Sequence, residues 1–192
     1  MSTDQVRPVD RRSFKRVDAV VDLDEMVTEF FATSERSDLG VFEETQSLES
    51  PHSELLHHEH HMTVTLETFH QCPVQVEVLR LHRDGLWYSR EIILRRTSDG
   101  RPVQYGIVRM LTTSVSPEVW AKIESEEFPL GRVLIEHNVH RRVSLCRLWK
   151  VKPGRSLQKH LELSPQAMIA GRTALIYCNH QPAIELLEIV RD

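Results

Sequence analysis

The feature that most limits what this chain can fold into is a series of period-two segments separated by short turn sequences. From Pro73 onward, Val74, Val76 and Val78 alternate with Gln75 and Glu77, after which Leu79 and Leu81 take over. Side chains on a strand point alternately to its two faces, so this is the pattern of a half-buried strand, and the change of parity predicts a bulge near residue 78. His82-Arg83-Asp84-Gly85 reads as a turn, residues 86–96 as a long strand, Ser98-Asp99-Gly100 as a hairpin and PVQYGIVRMLTT as the returning strand. Two more strands are predicted around 142–152 and 171–178, with Asn179-His180-Gln181-Pro182 turning the last hairpin into AIELLEIVRD.

Helical signals fall between these hairpins. Asp22 or Asp24 can cap a short helix through Phe31, and Ser53 starts a second over ELLHHEHH. Thr63 can cap a third piece, MTVTLETFHQC, and Ser116 can cap a helix with Pro117 in its first turn. Pro129-Leu130-Gly131 breaks the chain before RVLIEHN, and residues 34–52 read as a loop with one helical turn. Hairpin-joined strands with interspersed helices predict the α+β class, a single antiparallel sheet with helices on one side.

A length of 192 residues fits one domain. Residues 1–20, polar and charged, are expected to be a flexible extension, and 21–192 a single domain. Lys+Arg 24 against Asp+Glu 28 gives a net charge of -4, so no basic excess drives nucleic-acid binding. No apolar run approaches the ~18 residues of a membrane span, and no apolar stretch follows the N-terminal basic residues as in a signal peptide. The expected location is cytoplasmic. Cys72, Cys146 and Cys178 are far apart and form no CxxC pair, which argues against a disulfide framework or a zinc ribbon. Gly-rich phosphate loops and GxSxG elbows are absent.

The alternation also exposes two misplaced charges. In strand 86–96, Arg90 shares a face with Tyr88, Ile92 and Leu94; in the last strand, Glu188 shares one with Ile184, Leu186 and Val190. Buried charges are costly unless paired. Either these two form a salt bridge, with each other or with other partners, or the chosen face is the outer one, or they line a ligand cavity. In the last case Arg90 grips a carboxylate and Glu188 acts as acid or base. His57, His58, His60 and His61 surround Glu59; on a helix His57 and His61 would share a face as metal ligands do, but a solvated helix end explains them as well, and no metal is expected. His137 and His140 face a pocket or occupy a surface turn.

Four segments, in order, resemble the chorismate lyase family and its relatives of uncharacterised function. They are Met62-Thr63 with Leu66-Glu67; residues 86–94 with the hairpin and Gly100-Arg101-Pro102; Pro129-Leu130-Gly131-Arg132-Val133-Leu134; and Gln181-Pro182 with Glu188 six residues after the proline. The resemblance spans roughly residues 53–190 and implies a buried pocket on one antiparallel sheet. It implies elimination of pyruvate from chorismate to give 4-hydroxybenzoate, with no metal or organic cofactor and a small molecule as the partner. Arg90 would bind a ligand carboxylate, Glu188 would contact the far end of the ring, and backbone groups at Met62 and at Leu130-Gly131 would orient it. A further family arginine, five residues past the hairpin proline, is here Ile107; the nearest arginine on the same face is Arg109, which stands as its substitute. The same fold serves as an effector domain in some bacterial transcription regulators, so a non-catalytic carboxylate-binding module is the alternative. The first fifty residues carry no evident helix-turn-helix segment, which favours a free-standing protein over a regulator.

Overall fold

A computed structural model describes residues 21–191. The predicted extension, residues 1–20, lies outside the described residues. Seven strands form one antiparallel sheet in the order β1-β5-β6-β7-β4-β3-β2. In chain order the strands are β1 Gly40–Thr45, β2 Val74–Asp84, β3 Trp87–Arg96, β4 Pro102–Leu111, β5 Arg141–Pro153, β6 Ile169–Cys178 and β7 Gln181–Val190. The helices are α1 Leu23–Thr28, α2 Arg36–Leu39, α3 His52–Leu56, α4 Met62–His70, α5 Pro117–Glu124, α6 Leu130–Glu136 and α7 Arg155–His160.

Local chemistry explains most element ends. Asp22 caps α1 by accepting from the N–H groups of Asp24 and Glu25, and Ser116 caps α5 by accepting from that of Val119. The bulge foreseen near residue 78 lies between Val78 and Arg80. Asn179 and His180, both with left-handed backbone (φ 50° and 66°), make the two-residue turn between β6 and β7.

The central strands are buried on both faces, so helices cover both sides rather than one. Toward one face, Ile93, Tyr105, Ile107, Leu187 and Ile189 pack with Leu23, Met26 and Val27 of α1, Leu39 of α2 and Leu157 of α7. Toward the other, Val108, Met110, Ile184 and Leu186 pack with Val119 and Ile123 of α5 and Val133 and Leu134 of α6. Leu55 and Leu56 of α3 and Met62 and Leu66 of α4 extend that second layer over Ile92, Leu94 and Val190.

Three local expectations change. The stretch 34–52 contains an edge strand, β1, paired with β5 from Gly40↔Pro153 to Thr45↔Leu148. The helix begun near Ser53 ends at Leu56, so His57–His61 form an irregular connection. Position 63 is inside α4, whose N-cap is His61 with no side-chain cap.

Gly154 shows how tightly α7 seats on α2. Its N–H donates to the Leu39 carbonyl at 2.9 Å, and a Cβ there would run into the backbone carbonyl oxygens of Ser37 and Asp38. Gly154→Ala is therefore expected to cost about 1–3 kcal/mol through overpacking, measured as a lower denaturation midpoint at unchanged m-value.

Candidate functional site

The end of the connection after α3 and the starts of α4 and α6 leave a cavity of about 40 Å³ over the centre of the sheet. Its walls are mostly apolar: Ile92 and Leu94 of β3, Val108 of β4, Val143 of β5, Ile176 of β6, Leu186 of β7, and Met62 and Leu130 at the starts of α4 and α6. Polar groups intrude at a few points, chiefly Arg172 and Glu188, Gln104, Thr63, and His60 and His61. Gly106, on β4 opposite Glu188, keeps the floor open; a Cβ would meet Ile92 Cγ1 at 3.2 Å and Gln104 Nε2 at 3.3 Å.

The site owes its shape to the junction of α4 and α6. Neither helix has a side-chain cap at its N-terminus, and both begin at the cavity. Glu67, on α4, accepts from the backbone N–H of Val74 at 2.9 Å and from Arg132 of α6. It thereby ties the Pro129-Leu130-Gly131 turn to α4 and β2. Gly131 permits the close approach, since a Cβ there would lie 3.0 Å from Thr63 Oγ1 and 3.4 Å from His61 Nδ1.

Glu188 and Arg90 do share one face of the sheet, through the register Arg90↔Val108, Val108↔Leu186 and Gly106↔Glu188. They do not pair. Glu188 is held by Arg172, directly across on β6, whose Nε donates to Glu188 Oε2 at 2.6 Å. Arg172 is 0% exposed, and its other nitrogens hold the connection between α3 and α4. They donate to the carbonyls of Leu56 (3.4 Å), His58 (2.7 Å) and His60 (3.3 Å), and to His58 Nδ1 at 3.2 Å. Arg172 is thus the one principal polar residue of the cavity that the sequence reading passed over, although its neighbours Ala170, Ala174 and Ile176 on the same face of β6 carried the signal.

Arg90 is 0% exposed as well, and none of its Nε, Nη1 and Nη2 has a hydrogen-bond partner. It stands one position beyond the cavity wall, between the lining residues Ile92 and Val108 and the buried Tyr88. Burial pushes its pKa down from the usual guanidinium range, and the neighbouring Tyr88 hydroxyl and Glu126 oppose that without reversing it.

Of the remaining candidates, Met62, Leu130 and Gly131 line the cavity. Arg109 does not. It is on the opposite face of β4, paired by register with Ser89 and Glu185, and it is enclosed by Glu185, Glu29 (3.3 Å) and Glu25 (3.0 Å). Ile107 has the same parity and faces that same inner layer, so neither position reaches a ligand beside Arg90. His137 lies 3.9 Å from Glu118 and His140 rests against His180, outside the cavity lining. His57 and His61 lie on no common helix, and among the described residues no group of three or more His, Cys, Asp or Glu is placed to hold a metal.

His58 and His61 are held neutral. Burial and the charge of Arg172 push His58 down to about 4, and burial with Arg141 and Arg172 does the same to His61. Their hydrogen bonds agree: His58 Nδ1 accepts from Arg172 and the His60 N–H, and His61 Nε2 accepts from Arg141 Nε at 2.6 Å.

No family model matches the chain, and no curated protein matches it. Solved structures do. PhnF from Mycobacterium smegmatis aligns with a TM-score of 0.52 at 9% identity, covering 69% of this chain and 64% of PhnF. The likeness shows a shared fold. A domain described as the ligand-binding domain of a GntR-family transcriptional regulator from Bordetella bronchiseptica aligns at 0.47, with 14% identity over 62% of this chain and 85% of that one. A GntR-family transcriptional regulator from Bacillus cereus aligns at 0.45, with 11% identity over 61% of this chain and 90% of that one.

The two histidines predict a pH dependence. In the unfolded chain they protonate near ~6.5, whereas in the fold they do so only at about 4. Between those values the unfolded state binds more protons, so stability falls as pH drops from 6.5 toward 4 and levels off below. Allowing for partial exposure, each contributes on the order of 1–2 kcal/mol. Denaturant titrations from pH 7 to 4 should show this loss, and His58→Asn should remove roughly half of it, leaving the His61 share.

Proposed function

We propose that this domain binds a small carboxylate in the cavity between the Arg90 end and the Arg172–Glu188 end. One observation carries the reading: Arg90 is fully buried and has no partner for any of its three nitrogens. A buried charge without a counter-charge costs several kcal/mol, which is about what a bidentate carboxylate returns. Ile92 and Val108, the residues that separate Arg90 from the cavity, are apolar, as suits the body of a ring or short chain. At the far end, Glu188 presents an acceptor and Arg172 fixes its orientation. Met62, Leu130 and Gly131 bound the space between, and the uncapped start of α4 adds backbone donors.

The lyase reaction that the resemblance implies is the second reading. Arg90 and Glu188 on one face, with the cavity between, favour it. Oε2 of Glu188 is occupied by Arg172, however, so proton transfer would fall to the other oxygen alone. The elimination makes an aromatic ring, so the protein would chiefly fix the conformer, offset charge and place that one group.

One experiment separates the readings. The protein is screened by thermal shift against benzoate, 4-hydroxybenzoate, terephthalate and chorismate, and the chorismate sample is assayed for 4-hydroxybenzoate and pyruvate. Stabilisation without turnover supports the module, turnover supports the lyase, and no stabilisation by any carboxylate rejects both. Arg90→Leu should abolish the carboxylate shift and raise the stability of the ligand-free protein by about 1–4 kcal/mol, because an uncompensated charge is replaced by an apolar group. A destabilised variant with its carboxylate shift intact would make Arg90 a structural residue.

A further inference from the structure

We infer that Tyr88 joins Arg90 in a single anion subsite just beyond the Ile92 and Val108 wall of the cavity, and that the ligand this subsite admits carries one negative charge. The inference rests on the carboxylate-binding reading above and adds a residue and a charge class to it.

Tyr88 and Arg90 are two apart on β3 and so point to the same face, their Cα atoms about 7 Å apart. Tyr88 is 0% exposed, and its hydroxyl, like the Arg90 guanidinium, has no hydrogen-bond partner. The phenol oxygen is near enough to the guanidinium to act as a weak acceptor for it, but no hydrogen bond of good geometry joins the two, and the phenol O–H and the guanidinium N–H groups still lack an acceptor. The phenol is not free to seek water. Its ring packs edge-on against Trp120 of α5 at 5.1 Å, and the Arg83 guanidinium covers it at 5.5 Å. The two groups also act on each other: burial raises the Tyr88 pKa, and the charge and close approach of Arg90 oppose the rise. The other charged groups that act on the pair are Arg83 and Glu126, the latter on the connection between α5 and α6, and Glu126 forms no hydrogen bond with either residue. A ligand oxyanion that entered past Ile92 and Val108 would therefore meet two donors: a guanidinium fork and a fixed phenol.

The charge class follows from the count of buried charges along the cavity. Arg172 and Glu188 cancel each other. His61 is neutral, and the half-buried Arg141 behind it donates to His61 and to the Val139 carbonyl. Glu67 and Arg132 form their own pair. Arg141 also has only neutral partners here but is half-buried, so Arg90 remains as the one fully buried charge among these groups with no counter-charge. A monoanion brings the enclosed site to neutrality, whereas a second carboxylate at the far end would lie against Glu188, where like charges repel. Arg109 cannot relieve it, being enclosed by three carboxylates on the other face of the sheet.

The test is calorimetric titration of the full chain with benzoate, terephthalate and benzamide, on the wild type and on Tyr88→Phe and Glu126→Gln. Benzoate should bind at least about tenfold more tightly than terephthalate or benzamide, since only it supplies one charge to the fork. Tyr88→Phe should weaken benzoate about tenfold while leaving benzamide and the melting temperature of the free protein nearly unchanged, because an unsatisfied hydroxyl is removed without loss of packing. Glu126→Gln should leave benzoate affinity within about threefold. Equal benzoate affinity in Tyr88→Phe, or terephthalate binding as tight as benzoate, overturns the inference while the carboxylate-binding reading stands. A tenfold gain in Glu126→Gln would show that Glu126 already fills the subsite and would overturn it too. Failure of the wild type to bind any carboxylate is the separate result that removes the underlying reading.

Discussion

Arg172 is the interaction around which the cavity is organised. Its stem rises from β6 in the middle of the sheet, and its guanidinium joins Glu188 on the neighbouring strand to three carbonyls of the connection between α3 and α4. An irregular segment cannot satisfy its own carbonyls as a helix does, so a buried guanidinium is an economical way to fix one above a sheet. His60 and His61 then form part of the cavity wall, α4 starts where its N-terminus faces the cavity, and Gly131 of α6 closes on Thr63 and His61. If the ion pair between Arg172 and Glu188 were lost, the carboxylate or the guanidinium would be left buried alone, and the connection would lose its anchor.

The opposite face of the sheet is built around a different guanidinium. Arg109 collects Glu185 from β7 and Glu29 and Glu25 from α1 and its end, while His82 and Ser89 also reach Glu29. Burial alone would lower the Arg109 pKa; the carboxylate hydrogen bonds outweigh it and raise it. Burial likewise opposes the Glu29 charge, and the bonds from His82 and Arg109 hold its pKa down. Beside it, the buried Glu91 accepts from Tyr105 at 2.7 Å and from Arg80. These groups fasten α1 and the edge strand β2 to the sheet without taking part in the cavity.

Much of this was legible in the sequence because strands write their faces in alternate residues. The parity of Arg90 and Glu188 put each on an aliphatic face of its own well-marked strand, and the register of the sheet brings those two faces onto one layer. What the pattern could not give was the partner. Arg172 lies in GRTALIYC, a segment whose small residues mask its alternation, and cross-strand pairing with Glu188 is a property of register that no single strand contains. Arg109 failed for the reverse reason. Matching it to Ile107 preserved the parity of Ile107, but that parity belongs to the other face, and the carboxylates that surround Arg109 come from β7 and from α1 and its end, both some eighty residues away in sequence. β1 was hidden because an edge strand exposed on one side has no strict apolar alternation: Val41 is exposed and Phe42 half-buried. α7 is short and lies between two strands, and its seat depends on a glycine contact with α2 rather than on its own periodicity.

The three buried arginines therefore differ in a way that bears on function. Arg172 is satisfied by one carboxylate and a set of carbonyls, Arg109 by three carboxylates, and Arg90 by nothing among the described residues. A fold able to neutralise the first two could have done the same for the third, since the Tyr88 position beside it is also spent on an unsatisfied donor. Replacing both by apolar residues of similar volume would stabilise the ligand-free protein, so their presence is a cost in the absence of a partner. That cost falls one position beyond the cavity's apolar Ile92 and Val108 wall. On the proposed carboxylate-binding reading, an arriving carboxylate would exchange its hydration for a fixed fork and a phenol while removing a penalty the protein already carries. The gain on such binding would then exceed what the contact alone supplies, because the free protein starts from the less stable side of the balance.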